Sequence, residues 1–136
     1  MLNLIFKNQT AFTTFEMMFL IVYKYGIQRS FYVCTLRRMD LKVFKETLQN
    51  NQPPAGLNNL LTALWYDGKD DWHRAHEIAQ DIETSAGSWV HAYLHRKEGD
   101  NANAMYWYRK AGKPMPQEGL REEWENIVAA FLALHH

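Results

Sequence analysis

The sequence predicts an all-α fold of antiparallel helical hairpins stacked in a short array, with a C-terminal capping helix. From residue 40 onward, apolar residues recur every three or four positions, which is the spacing of one buried helix face. Period-two alternation, which would indicate strands, is absent from the same region. Turn residues interrupt the helical pattern at short intervals, so neighbouring helices must pack beside one another as hairpins.

The net charge divides the chain near Met39. The whole chain of 136 residues is neutral, with 15 basic and 15 acidic side chains. Residues 1–38 hold five basic residues and one acid, a net +4, which leaves ten basic residues and fourteen acids, a net −4, for residues 39–136. The total length suits one ordinary domain. We therefore interpret 39–136 as the helical domain and 1–38 as an atypical basic and apolar segment.

Three interpretations of residues 1–38 remain open. Their β-branched and aromatic residues would suit a strand or helix added to the core. The second interpretation is an amphipathic segment on a membrane surface, against which the basic residues count because they do not fall on one regular face. In the third interpretation, the natural chain begins at Met39, because residues 40–45 read like an ordinary helix start. We favour the third, since the composition of residues 1–38 disagrees with everything downstream.

Composition narrows the compartment and the class of partner. A single cysteine, Cys34, excludes an intramolecular disulfide framework and a cysteine-based zinc ribbon. Such a low cysteine count is typical of proteins in a reducing compartment, so it favours the cytoplasm. The longest apolar run of the first segment, residues 17–23, is far shorter than the roughly 20 residues of a membrane span. Zero net charge and a pI near 7.0 argue against a nucleic-acid partner.

Three helices are predicted before residue 88. Asp40 begins the first, which ends at residues 50–54 and has the apolar positions Leu41, Phe44 and Leu48. The second ends at residues 67–70, and its apolar stripe consists of Leu57, Leu60, Leu61, Leu64 and Trp65. Asp70 or Asp71 caps the third, which ends at residues 84–87 and has a stripe of Trp72, Ala75, Ile78, Ala79 and Ile82.

Three more helices are predicted after residue 87. Ser88 is expected to cap the fourth, which ends at Gly99 and carries on one side Trp89, Ala92, Tyr93 and Arg96. Asp100 begins the fifth, which ends before Pro114 and Pro116 because proline cannot continue the hydrogen bonds of a helix. Its apolar stripe consists of Ala104, Trp107, Tyr108 and Ala111. The sixth has the longest apolar face: Leu120, Trp124, Ile127, Val128, Phe131 and Leu134. The predicted core contains Leu60, Leu61, Trp65, Trp72, Ala75, Trp89, Ala104, Tyr108, Trp124 and Val128.

One stretch of the chain resembles a known repeat. The tetratricopeptide pattern W-x-x-L-G-x-x-Y, A, F, P is similar to the spacing of Trp89, Ala92, Tyr93, Gly99, Ala104, Tyr108, Ala111 and Pro116. The string 106–112 also resembles the end of a Sel1-type repeat. A poorer copy of the tetratricopeptide pattern lies 29 residues earlier, where Asp71, Ala75 and Ala79 correspond to Asp100, Ala104 and Tyr108. These likenesses cover about residues 57–116 and imply a short tetratricopeptide-like array. The chain also looks like small uncharacterised bacterial helical proteins, a resemblance that implies no activity.

Two histidine pairs form the most pointed chemical pattern. His73 and His76 stand three residues apart in the third predicted helix, and His91 and His95 stand four apart in the fourth. Such spacings bring two imidazoles to one helix face, so that with Glu77 the pairs can ligate Zn²⁺ or a di-metal centre if the helices are neighbours. The helical wheel, however, places His73 and His91 opposite the apolar stripes, as for solvated surface histidines. Metal binding is therefore the alternative hypothesis of function.

The leading hypothesis is a protein-protein interaction module or adaptor. The sequence contains no G-x-S-x-G, P-loop, G-x-G-x-x-G or paired Cys-His motif, so we expect neither an enzyme nor a cofactor. In tetratricopeptide-like stacks the first helix of each hairpin lines a concave surface, which suits an extended peptide or another protein. Self-association through the final helix would give a homo-oligomer. The predicted polar lining consists of Asn59, Thr62, Tyr66, His91, His95, Glu122 and Asn126.

Deletion of residues 1–38 should leave a folded, soluble protein, because the charge and composition of that segment set it apart from the helical domain. A variant that begins at Met39 should keep a far-UV circular dichroism spectrum dominated by α-helix and a cooperative thermal transition. Insolubility, or loss of the transition, would show instead that residues 19–33 complete the core.

Overall fold

A computed structural model of the chain describes residues 39–134. These residues form six helices and no strand: α1 (Leu41–Thr47), α2 (Asn59–Gly68), α3 (Trp72–Gln80), α4 (Ser85–Glu98), α5 (Asn101–Ala111) and α6 (Leu120–Leu134). The predicted all-α class is confirmed. None of these six helices is both long and apolar enough to cross a membrane. Residues 1–38 lie outside the described residues, so the division of the chain near Met39 stays a prediction.

Side-chain caps begin the first five helices. The carboxylates of Asp40 and Asp100 accept hydrogen bonds, at 2.8 Å and 3.0 Å, from the backbone N–H three residues further along the chain. The caps of α2, α3 and α4 are Asn58, Asp71 and Thr84. Helices α4 and α5 end at Gly99 (φ 97°) and Gly112 (φ 71°), in the left-handed conformation that glycine adopts without strain.

The start of α4 differs from the prediction. Thr84, not Ser88, is the cap, and its hydroxyl accepts a hydrogen bond from the backbone N–H of Gly87 at 3.0 Å. Helix α4 therefore begins at Ser85 and runs through the glycine. Gly87 favours a break because glycine is a weak helix former, but here the cap satisfies its N–H and the chain at Ile82 packs closely against it.

Contacts between successive helices build most of the fold. Helix α2 packs on α3, α3 on α4 and α4 on α5, while α6 returns to contact α2 and α4, and α1 packs on α6. Helix α4 is thus in contact with α2, α3, α5 and α6. The tetratricopeptide-like order of the hairpins stays a prediction.

The core contains most of the residues predicted for it. The buried ones are Leu61, Trp65, Ala75, Ala104, Tyr108, Trp124 and Val128. Leu60, Trp72 and Trp89 are half-buried and pack against the core. The indole N–H groups of Trp65, Trp72 and Trp124 each donate a hydrogen bond to a different helix, at 2.9–3.1 Å. The tryptophans therefore add directional contacts between helices to the apolar burial.

A buried carboxylate ties α6 to α4 and α5. Glu123 is 2% exposed, and it accepts hydrogen bonds from the hydroxyl of Tyr108 and the guanidinium of Arg96. Burial and the hydrogen bond to Glu123 raise the pKa of Tyr108, so the phenol stays a donor. Arg96 also donates to the backbone carbonyl of Glu118 at 2.6 Å. Such pairing is what allows a carboxylate to lie inside the protein.

Gly87 permits a tight turn between α3 and α4. A methyl group at this position would lie 2.1 Å from the carbonyl oxygen of Ile82 and 2.8 Å from its Cβ. We expect Gly87→Ala to lower the free energy of unfolding, measured by chemical denaturation, by about 1–3 kcal/mol, because the backbone must shift. Gly119→Ala is the matched control, since a methyl group there meets no atom within 4 Å. Equal stability of Gly87→Ala and the wild type would contradict the close approach.

Candidate metal centre

Three histidines from two neighbouring helices meet beside the core. Helix α3 supplies His76, and α4 supplies His91 and His95, which are about one turn apart. One ring nitrogen from each residue lies within 4.8 Å of the other two. His76 Nε2 and His91 Nε2 are 2.8 Å apart. These three residues form the histidine cluster.

The cap of α3 and one cross-helix hydrogen bond position His76. Asp71 caps α3, so that Trp72 is the first helical residue and His76 follows one turn later. The indole Nε1–H of Trp72 donates to the backbone carbonyl of Leu94 in α4 at 2.9 Å. This bond holds the start of α3 against α4, and His76 therefore faces the histidines of α4.

Two tryptophans enclose the cluster. Trp72 stacks on His76, with ring centroids 4.7 Å apart and 20° between the planes. Trp107 stacks on His91 at 4.1 Å and 28°, and His91 stacks in turn on His95 at 4.8 Å. His91 is only 6% exposed and His95 only 8%. The neighbouring rings thus cover the imidazole faces and restrict the orientations that the histidines can adopt.

The burial of His91 corrects the helical-wheel expectation of a solvated surface residue. Residues 90–95 are all buried, because α4 is in contact with four other helices. The wheel assumes that a helix buries one face, whereas a helix with neighbours on several sides buries more than its apolar stripe.

Burial favours the uncharged form of His76 and His91 at neutral pH. Desolvation, followed by the charges of His76, His95 and Lys110, lowers the pKa of His91 to about 4. Desolvation is also the main cause that lowers the pKa of His76, and His95 adds to it. A neutral imidazole keeps a lone pair on one ring nitrogen, and this is the form that binds a metal ion.

Polar groups from the end of α4 and the first turn of α5 contact the His95 ring. His95 Nδ1 donates a hydrogen bond to Glu98 Oε2 at 3.1 Å. The side-chain nitrogen of Asn103 lies 3.2 Å from Nε2 and 3.4 Å from Nδ1 of the same ring. Neither residue was among the predicted ligands. The three-residue spacing of His95 and Glu98 indicates that their side chains lie close together on the helix, so the sequence alone could have identified this carboxylate. Asn103 reaches the ring only because α5 folds back on α4.

Two predicted ligands lie outside the histidine cluster. His73 and Glu77 are both exposed. The ring of His73 meets that of Trp72 edge to face, at 5.4 Å. Glu77 follows His76 directly and is rotated from it by about 100° around the helix axis, which puts it on a different face. The ligands that the structure brings together are therefore fewer than the two pairs and carboxylate that the spacing suggests.

The predicted partner-binding residues divide by burial. Tyr66, like His91 and His95, is buried, at 8% exposed. Thr62 is half-buried, and its hydroxyl donates to the backbone carbonyl of Asn58 at 2.9 Å. The exposed members are Asn59, Glu122 and Asn126. Partner binding stays a prediction, and only part of its predicted lining is open to solvent.

Comparisons of the chain with protein-family models, curated proteins and solved structures found no match. The tetratricopeptide and Sel1 likeness therefore remains a resemblance carried by the residues quoted for it. A function for this protein has to be argued from the geometry of its own side chains.

Buried His91 should make the protein less stable in mild acid. Its pKa is about 4 in the folded protein, against an ordinary value of 6.5. As the pH falls from about 6.5 to about 4, the unfolded chain takes up a proton that folded His91 does not, so the free energy of unfolding decreases. Below that window both states are protonated and this contribution levels off. We expect the decrease in the free energy of unfolding due to His91 to be at most about 3 kcal/mol, measured by urea denaturation across the pH range.

Two glutamine variants isolate this pH dependence. His91→Gln should reduce it, whereas His73→Gln, at an exposed position outside the histidine cluster, should retain it. His76 contributes a loss of the same sign, because its pKa is lowered too. If the curves of His91→Gln and the wild type run parallel between pH 7 and pH 4, the folded protein does not hold His91 neutral.

Proposed function

We propose that the protein binds one transition-metal ion, of the class that includes Zn²⁺, through His76, His91 and His95. The observation that carries this proposal is the convergence of three imidazole nitrogens within 4.8 Å of one another. Histidine nitrogens bind Zn²⁺ at about 2.0–2.1 Å, and a site with three protein ligands leaves one position for water or another small ligand.

Small side-chain movements would bring the cluster to a metal-binding geometry. A tetrahedral zinc ion with these bond lengths holds its ligand nitrogens about 3.3 Å apart. His76 Nε2 and His91 Nε2, now 2.8 Å apart, must separate slightly. The widest spacing, at most 4.8 Å, must close by up to about 1.5 Å to reach the tetrahedral value. Rotation of the imidazole side chains supplies such movements while α3 and α4 stay in place.

The contact between His76 and His91 already pairs the two nitrogens that a metal would use. At 2.8 Å, one Nε2–H must donate to the other Nε2, because two lone pairs would repel. On metal binding, the donating ring moves its hydrogen to Nδ1 and both Nε2 lone pairs turn to the ion. The metal-free state is thus internally hydrogen-bonded, and the ion replaces one N–H···N bond by two coordinate bonds.

The ligand chemistry selects the class of metal. Imidazole nitrogens suit Zn²⁺, Cu²⁺ and Ni²⁺, whereas Mg²⁺ and Ca²⁺ require several oxygen ligands. The acids next to the cluster on its own two helices, Glu77 and Glu98, are not in the converging group. We therefore expect Mg²⁺ and Ca²⁺ not to compete with Zn²⁺.

Metal binding has more support from these side chains than the interaction module. Burial withdraws Tyr66, His91 and His95 from any surface offered to a partner, while the same burial and the lowered pKa of His91 suit a metal ligand. Binding of a protein or peptide, self-association and a cytoplasmic location stay predictions.

Purified protein without an affinity tag should bind one equivalent of Zn²⁺ per chain. Isothermal titration calorimetry gives the stoichiometry and Kd, and Co²⁺ in place of Zn²⁺ should show the visible absorption of a four-coordinate site. Because the ion binds the folded state, it should raise the Tm, by an amount equivalent to about 2.7 kcal/mol at 100 times the Kd, and a chelator should reverse the shift.

Histidine variants locate the ion. His91→Ala and the half-buried His76→Gln should each weaken Zn²⁺ binding strongly, whereas exposed His73→Ala should leave it unchanged. Replacement of His135 and His136 by alanine tests whether the histidine pair at the end of the sequence contributes to Zn²⁺ binding. Binding that survives both His91→Ala and His76→Gln, or no binding by the wild type, would overturn the proposal.

A further inference from the structure

We infer that Glu98 is a positioning residue for the metal site: its carboxylate holds His95 as the Nδ1–H tautomer and so leaves the Nε2 lone pair for the ion. This inference rests on the proposed metal-binding function. It assigns a role to a residue that is not itself a ligand.

The hydrogen-bond partner decides the tautomer of His95. Glu98 Oε2 lies 3.1 Å from His95 Nδ1. An ionised carboxylate can only accept, so Nδ1 must carry the hydrogen. A neutral imidazole has one N–H, and with the hydrogen on Nδ1 the lone pair is on Nε2.

Asn103 leaves that lone pair accessible. Its side-chain nitrogen lies at nearly equal distances, 3.2 Å and 3.4 Å, from Nε2 and Nδ1 of His95. In the plane of the ring, the outward directions at Nδ1 and Nε2 diverge. A donor aligned with the lone pair of one nitrogen would therefore lie clearly nearer to that nitrogen than to the other. The amide therefore rests against the ring and makes no well-aligned hydrogen bond that a metal ion would have to break.

The position of Glu98 in its helix points to the same role. It is the last residue of α4, where the partial negative charge of the helix terminus disfavours a carboxylate. The charged basic residues of that turn are Arg96 and Lys97, as the helix dipole prefers. Arg96 and Lys97 are paired with carboxylates from other parts of the fold. The hydrogen bond from His95 Nδ1 offsets the unfavourable position of the Glu98 carboxylate at the end of the helix.

Glu98 acts from outside the ligand set. Its side chain is 47% exposed, and its carboxylate is not among the atoms that converge within 4.8 Å. A carboxylate that accepts a hydrogen bond from a metal-bound histidine fixes the ring orientation and makes the ligand nitrogen more basic. Loss of such a partner typically weakens metal affinity about 10–100-fold.

Three variants separate the hydrogen bond from the charge. Glu98→Ala removes the acceptor and should raise the Kd for Zn²⁺ about 10–100-fold. Glu98→Gln keeps an acceptor oxygen without the charge and should weaken binding less. Glu77→Ala is the matched control, because it removes an exposed glutamate that adjoins His76 on the other helix. Its Kd should stay within about twofold of the wild type, since no hydrogen bond to a ligand ring is lost.

The tautomer itself supplies a readout that does not depend on affinity. Long-range ¹H–¹⁵N correlation spectra of the metal-free protein should show His95 as Nδ1–H in the wild type and in Glu98→Gln. The spectra of Glu98→Ala should shift toward a mixture of tautomers while its circular dichroism and Tm stay near those of the wild type. A merely structural role for Glu98 would change the Tm and leave the tautomer as it is.

The outcomes distinguish the inference from the function on which it rests. If the wild type binds Zn²⁺ and Glu98→Ala binds it equally well, or if wild-type His95 is Nε2–H or doubly protonated, the positioning role is wrong and the metal site stands. If the wild type binds no Zn²⁺, the proposed function fails and takes the inference with it.

Discussion

The contact between Trp72 and α4 is the interaction on which the histidine cluster depends. The indole donates to the Leu94 carbonyl at 2.9 Å and presents its face to His76. Helix α3 has nine residues, too few to be stable without tertiary contacts, so its orientation is set by what it packs against. Because the bond joins the start of α3 to α4, one histidine of α3 lies level with the two histidines of α4.

The polar groups of the histidine cluster satisfy one another's hydrogen-bonding capacity. Buried nitrogen atoms that lack a hydrogen-bond partner would destabilise the fold. Between residues 39 and 134, no buried side-chain nitrogen or oxygen is without a partner. His76 pairs with His91, and His95 pairs with Glu98, while tryptophan rings cover the imidazole faces. An ion of the right class would replace the hydrogen bond between His76 and His91 by coordinate bonds and leave the hydrogen bond between His95 and Glu98 in place.

Helix α4 organises the fold because its polar side chains contact several different helices. Lys97 donates to the buried carboxylate of Asp67 in α2 at 2.9 Å, and Arg96 donates to Glu123 in α6. The two histidines of α4 turn instead toward α3. A charged pair inside a protein requires good geometry to offset desolvation, so these pairs restrict how α2 and α6 lie against α4. The histidine side of the helix is thereby held toward α3.

The sequence by itself determined the helices, most of their boundaries and the i, i+4 spacing of His91 and His95, because each depends on residues within about one helical turn. The cap at Asp71 and the left-handed Gly99 follow from such local rules. Tertiary structure decided the burial of His91 and the contact of Asn103 with the cluster. Spacing shows which residues share a helix face, but only the packing of α3 and α5 on α4 decides which faces meet, and that packing depends on contacts between residues far apart in the chain.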